Sequence, residues 1–208
     1  GRTMSIETLN APGMPTRIAQ SLKKLHSGAN CLNDFDMFRL VEFYMGIVKK
    51  HQVEIPKDYH NRMSILSSIE NAILKKKLPV VPCNNDLLAE NYIDDGNMLW
   101  LIDYEYSGNN DPCFELGNTC QEQQYNEDQY AELCAAYFGE ALRHLMARMY
   151  LFSIMSDFGW TLWGAIQNKI SDLDFDFWEY TVGRWERALG MLESNRFPKW
   201  LEDAQRDD

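Results

Sequence analysis

Residues 83–112, CNNDLLAENYIDDGNMLWLIDYEYSGNNDP, place Asp86 five positions ahead of Asn91 and set a second carboxylate, Asp103, at the end of an apolar run. Transfer of a phosphoryl group from a nucleotide asks little covalent chemistry of a protein. It needs an acceptor hydroxyl held in line and Mg²⁺ held against the phosphates. An Asp that takes the hydroxyl proton, an Asn five residues later that reaches the metal, and a second Asp just beyond a β-strand supply these parts. Asp86, Asn91 and Asp103 stand in that order and at that spacing. An Asp-x4-Asn pair alone arises often by chance in an acidic chain, and a loop rich in Asn and Asp also serves for backbone capping. A transition-metal centre fits less well, because His26, His51, His60 and His144 are scattered, with no HxxxH or HxH pair.

The elements around these residues follow from periodicity. From Leu78 the helical period disappears, and Pro79 and Pro82 bracket two valines, so a short strand runs into the loop that carries Asp86. NYIDDGNMLWLIDYE then predicts a hairpin: Tyr92 and Ile93, an Asp95-Gly96 turn, and Met98 to Ile102 as a buried strand that delivers Asp103. Helices are predicted on either side. PTRIAQSLKKLHSG carries Ile18, Leu22 and Leu25 at helical spacing, with Thr16 as cap and Gly28 as stop. DFDMFRLVEFYMGIVKKHQ presents Phe35, Phe38, Val41, Phe43 and Met45 as an apolar face and ends in lysines suited to a helix C-terminus. YHNRMSILSSIENAILKKK is a third helix, whose Lys75 to Lys77 run reads as a solvated last turn rather than a phosphate patch. After Pro112 the chain is helical to its end. Asn126, Asp128 and Gln129 mark one start, EALRHLMARMYLFSIMSDFGWTLWGAIQNKI is a long helix interrupted near Gly159, and FDFWEYTVGRWERALGMLES is another. The expected class is α+β, predominantly α-helical, with one small hairpin at the functional edge.

Composition narrows the partners. The 208 residues, 45% hydrophobic, suffice for a real core. A formal net charge of −11 argues against a surface for nucleic-acid phosphates and favours attraction of a small cation. Five cysteines, odd in number and without a close CxxC pair, argue against a disulfide framework and fit a reducing cytoplasm. No apolar run approaches the roughly 18 residues of a spanning helix, so membrane insertion is not expected.

CNNDLLAEN followed by LIDYEYSGNNDPCFELGNTCQE resembles the catalytic loop and metal-binding segment of the choline/ethanolamine kinase family, relatives of the aminoglycoside phosphotransferases with a protein-kinase-like fold. The resemblance covers nearly the whole chain. RIAQSLKKLHS is similar to the first helix of the family's C-terminal lobe, and WTLWGAIQNKISDLDFDFWEYTVGRW to the late helices that wall the choline pocket. The resemblance implies Asp86 as catalytic base and Asn91 and Asp103 as Mg²⁺ ligands, with ATP as co-substrate. It also implies Trp160, Trp163 and Tyr180 as an aromatic box for the trimethylammonium group, Glu122 as its nearby acid, and Tyr125 as a further pocket aromatic. A quaternary ammonium has no hydrogen to donate, so ring faces and a carboxylate field are what can recognise it. Trp160 and Trp163, three apart on one helix, share a face, and core packing accounts for such a pair as well.

Two residues depart from the family pattern: Asn84 stands where the family's loop usually begins with His, and Glu115 where many relatives have Asp. A kinase of this type also uses a glycine-rich loop and a strand lysine over the phosphates. These 208 residues contain neither pattern. The resemblance therefore implies that residues 1–208 are the C-terminal catalytic and substrate-binding lobe, that the N-terminal nucleotide-binding lobe lies outside this chain, and that these residues alone do not turn over ATP. The expected activity is transfer of the ATP γ-phosphoryl group to the hydroxyl of choline or a related amino alcohol. The other readings are a kinase for an aminoglycoside or sugar, and a binding module that holds a quaternary amine without turnover.

Overall fold

The computed structural model describes residues 1–206, and most of them lie in helices arranged around one long central helix. In chain order the elements are β1 (Arg2–Thr3), α1 (Ile6–Leu9), α2 (Met14–His26), α3 (Met37–His51), α4 (Tyr59–Lys75), β2 (Val81–Cys83), a 3₁₀ turn (Ala89–Asn91), β3 (Tyr92–Asp94), β4 (Leu99–Leu101), β5 (Gly108–Asn110), α5 (Pro112–Glu122), α6 (Glu127–Phe138), α7 (Arg143–Ile170), α8 (Phe177–Leu192) and α9 (Phe197–Asp203).

Helix α7 is apolar on nearly every side and buried along most of its length, as an all-round hydrophobic helix must be. Helices α3, α5, α8 and α9 pack on it. It runs unbroken through Gly159, contrary to the expected interruption. That glycine serves close packing instead: a Cβ there would stand 2.0 Å from Met37 Sδ of α3. Two serines inside α7 are bonded to α5. Ser153 Oγ lies 2.9 Å from the Gly117 carbonyl, and Asn118 donates to Ser156 Oγ at 2.8 Å.

Other boundaries move for identifiable reasons. Helix α2 starts at Met14 behind Gly13 in a left-handed conformation (φ 80°), and Thr16, inside the first turn, donates its hydroxyl to Glu132 of α6 instead of capping. Helix α3 is capped by Asp36, and its buried face is Met37, Val41, Tyr44 and Val48, while Phe43 is 63% exposed. The capping box of α6 forms as its sequence suggests, with Asn126 and Gln129 bonded reciprocally.

The hairpin forms with Tyr92 opposite Leu101 and Asp94 opposite Leu99 and with Gly96 at φ 91° in the turn, but the strand expected to be buried from Met98 to Ile102 spans only Leu99–Leu101, with Leu99 buried and Trp100 exposed. Two strands carry no signal in the sequence. β1 adds to the hairpin beside β3, and β5 pairs antiparallel with β2, Val81 opposite Asn110 and Cys83 opposite Gly108. Gly108-Asn109-Asn110 has no β-branched or aromatic residue, so only its pairing makes it a strand.

Candidate active site

Strand β2 ends at Cys83 and strand β4 at Leu101, and the residues just beyond the two are tied together by Asn84. Its side-chain N–H₂ donates to the carbonyls of Asp103 (2.8 Å) and Ile102 (3.2 Å), while its Oδ1 accepts from the Asp86 amide at 3.0 Å. One amide side chain thus fixes the loop bearing Asp86 against the strand end bearing Asp103.

Asn85 turns the chain at φ 68°, a left-handed conformation that asparagine tolerates. Its side chain donates to the carbonyls of Tyr106 (3.1 Å) and Gly108 (3.3 Å) and accepts from Asn110 (2.9 Å). Glu115, fully buried on α5, accepts the Asn84 and Asn85 amides on one carboxylate oxygen at 2.6 and 2.9 Å. Asp86 therefore projects from a backbone held on both sides.

Asn91 donates to the Asp86 carbonyl at 2.8 Å, and its own backbone carbonyl accepts from Ile102 N–H at 3.0 Å. Its amide oxygen remains as a ligand atom. Asp103, exposed and at φ 56°, follows on the same segment. An amide oxygen and a carboxylate form an all-oxygen donor set, the kind that suits a hard divalent cation such as Mg²⁺. Burial pushes the Asp86 carboxyl up to about 6; the charges of Glu122, Asp103 and Glu105 add to this and the Arg184 guanidinium opposes it.

Asp86 also lines a cavity of about 330 Å³ whose other walls are apolar. Trp160 and Trp163 of α7 form one wall, with ring centres 6.3 Å apart and planes nearly perpendicular. Tyr180 of α8 stands 5.7 Å from Trp163, and Tyr106 lies edge-on to Trp160 at 5.0 Å. Phe175 and Phe177 close the side next to α8, and Leu88 and Leu173 complete the lining. The structure thus brings together Asp86, Trp160, Trp163 and Tyr180.

It places two other expected residues elsewhere. Tyr125 is buried with its hydroxyl donating to the Leu9 carbonyl at 2.8 Å, and it lines a separate cavity near Trp200. Glu122 sits behind the aromatic wall, both carboxylate oxygens bound to Arg184. Its charge reaches Asp86 as a field but does not line the pocket. Sequence reasoning missed Tyr106, Phe175, Phe177 and Arg184. A signal existed for two of them: Tyr106 lies three residues past Asp103, and Arg184 lies one helical turn past Tyr180.

Packed helices with two small antiparallel sheets give the chain a protein-kinase-like fold. The sequence profile of choline/ethanolamine kinases matches residues 1–138, and the chain belongs to the choline/ethanolamine kinase family. Ethanolamine kinase 2 of Rattus norvegicus is 30% identical over 220 residues, covering 90% of this chain and 56% of the rat protein. The chain thus spans little more than half the length of that relative. The crystal structure of a choline/ethanolamine kinase family protein from Mesorhizobium loti superposes with a TM-score of 0.91 at 35% identity, over 98% of this chain and 70% of that one. At the level of fold alone, the GDP complex of an aminoglycoside 2'-phosphotransferase matches with a TM-score of 0.65 at 13% identity, over 91% of this chain and 68% of that one.

Proposed function

We propose that this chain is the catalytic and amine-binding lobe of an ATP-dependent kinase acting on choline or a closely related amino alcohol. The observation that carries the reading is the shared cavity: the half-buried carboxyl of Asp86 opens into the same 330 Å³ space as the faces of Trp160, Trp163 and Tyr180. A cationic head against the rings leaves the hydroxyl of a two-carbon arm to meet Asp86. Asp86 accepts the hydroxyl proton as the oxygen attacks the γ-phosphorus, the bond to the β-γ bridging oxygen breaks, and ADP carries away the electron pair. Asn91 and Asp103 are the residues that would hold Mg²⁺, which when bound neutralises charge on the phosphate oxygens. Residues 1–208 act in this reading with a nucleotide-covering lobe encoded outside them.

Within the amino alcohols the lining favours a quaternary head. Apart from Asp86, which is needed at the hydroxyl, the walls are rings and leucines, and a trimethylammonium group asks for no hydrogen-bond acceptor. A primary ammonium carries three donors that these walls leave largely unmet. The five cysteines are all free thiols, consistent with a reducing cytoplasm as the place of action.

The experiment is ATP-dependent phosphorylation by the protein joined to its nucleotide-binding lobe. Choline, ethanolamine and the uncharged carbon isostere of choline are compared with an aminoglycoside and a sugar. Turnover of choline above ethanolamine, and far above the isostere, is expected. Phosphorylation of the aminoglycoside or sugar without the amino alcohols overturns the substrate reading, and choline binding with no phosphoryl transfer to any acceptor overturns the catalytic one.

A further inference from the structure

His26 lies in the last turn of α2, sixty residues before Asp86, and is buried. Its Nε2 bonds to the Glu115 carboxylate oxygen that the catalytic loop does not use. Its Nδ1 stands 2.6 Å from the hydroxyl of Tyr137 on α6. The network assigns the Nε2 proton. A carboxylate only accepts, so Nε2 carries a proton, and Nδ1 shares a hydrogen bond with the tyrosine hydroxyl. Cys83 Sγ lies 3.6 Å from the same Nε2, which puts His, Cys and Glu ligand atoms within 4.8 Å of one another. The direct bond between His26 and Glu115 occupies the space between them, so the set is a hydrogen-bonded cluster rather than a metal centre.

We propose that His26 is a positioning residue for the catalytic loop, acting through Glu115. The Glu115 carboxylate is wholly buried: one oxygen accepts the Asn84 and Asn85 amides, the other accepts His26, and the Cys83 thiol adds a weaker hydrogen bond to the carboxylate. Without the imidazole donor the carboxylate keeps only the weak Cys83 thiol on that side and rotates toward another donor, which weakens its hold on the two amides that immediately precede Asp86. The link runs from α6 through α2 and α5 into the loop, so three helices set the place of one carboxylate. The inference rests on Asp86 being the catalytic base.

The test compares His26→Gln, which keeps an N–H near the Nε2 position, with His26→Leu, which fills similar space without a donor, in the enzyme joined to its nucleotide-binding lobe. His26→Leu is expected to lower kcat at least tenfold with both KM values within threefold of wild type, and His26→Gln to retain kcat within threefold. Unchanged kcat in His26→Leu, or equal losses in both variants, overturns the proposal. Should His26→Leu fail to melt cooperatively, Glu115→Gln carries the test: a fivefold or greater fall in kcat is expected, and unchanged kcat overturns it. Should wild type phosphorylate no amino alcohol, the fault lies with the functional reading, and amide exchange judges the clamp by itself. Asn84 and Asn85 amides that exchange slowly in wild type and His26→Gln and fast in His26→Leu support it, and equal exchange in all three overturns it.

Discussion

The guanidinium of Arg184 grips both carboxylate oxygens of Glu122 and lies 4.6 Å from the centre of the Tyr180 ring. All three groups sit behind or in the wall of the aromatic cavity, and Asp157, with Arg187 at 2.6 Å, extends the charge network into α7. The acid that would most simply attract a substrate cation is thus already neutralised by a cation of the protein. In the proposed function ring faces and Asp86 are what receive the amine, and the network itself braces α8 against α5 and α7.

Breaking that network exposes its structural weight. Arg184→Met leaves Glu122 and Asp157 buried with too little positive charge, and the expected loss of stability is about 3–5 kcal/mol. Adding Glu122→Leu removes the stranded carboxylate and restores a large part of the loss. Urea unfolding of the single and double variants checks this, and a double variant no more stable than Arg184→Met contradicts it.

Asp86→Asn keeps the shape of the side chain and removes the proton acceptor of the proposed reaction. In the protein joined to its nucleotide-binding lobe, kcat falls by about 10² to 10⁴, the usual span for a general base. The choline dissociation constant, read from tryptophan fluorescence, stays within threefold of wild type. Activity within threefold of wild type removes Asp86 from the mechanism.

Trp163 is half-buried between Trp160, Phe177 and Tyr180, with ring centres 5.7 to 6.3 Å away. In the proposed function Trp163→Ala removes a ring facing the cation, worth about 0.5–2 kcal/mol to a desolvated ammonium. KM for choline is expected to rise about tenfold while KM for ATP holds, a ratio that about 1.4 kcal/mol accounts for. A rise in both constants together with a lower melting temperature identifies Trp163 as a packing residue instead.

The hairpin is pinned to α2 by Arg17, whose two terminal nitrogens meet Asp94 at 2.8 and 2.7 Å. The Arg17 hydrogen bonds, with help from the Gly96 amide, hold the Asp94 carboxyl down at about 2, against an ordinary 3.8. A carboxyl with a depressed folded-state pKa contributes stability above the unfolded value and loses it as pH falls through the folded one. The melting-temperature gap between wild type and Asp94→Asn therefore stays level above pH 5 and closes between about pH 4 and about pH 2. A gap that persists unchanged at pH 2 rules out the ion pair as its source.

The sequence by itself determined the parts with local causes. Periodicity placed α2, α3, α4 and α8, the Asp-Gly dipeptide placed the hairpin turn, and Asn126 with Gln129 placed the start of α6, because each signal lies within a few residues of the feature it sets. Asp86, Asn91 and Asp103 were legible as an ordered set because their loop and strand are consecutive. What the tertiary structure decided depends on partners distant in the chain. Gly108-Asn109-Asn110 becomes a strand only beside β2, and Gly159 passes inside a straight helix because Met37 fills the space beside it. Glu122 and Tyr125, close together in sequence, part company because Arg184 claims one and the Leu9 carbonyl the other. Burial and pairing energies depend on what surrounds a side chain, and for Glu122, Tyr125 and His26 the partners come from residues more than sixty positions away.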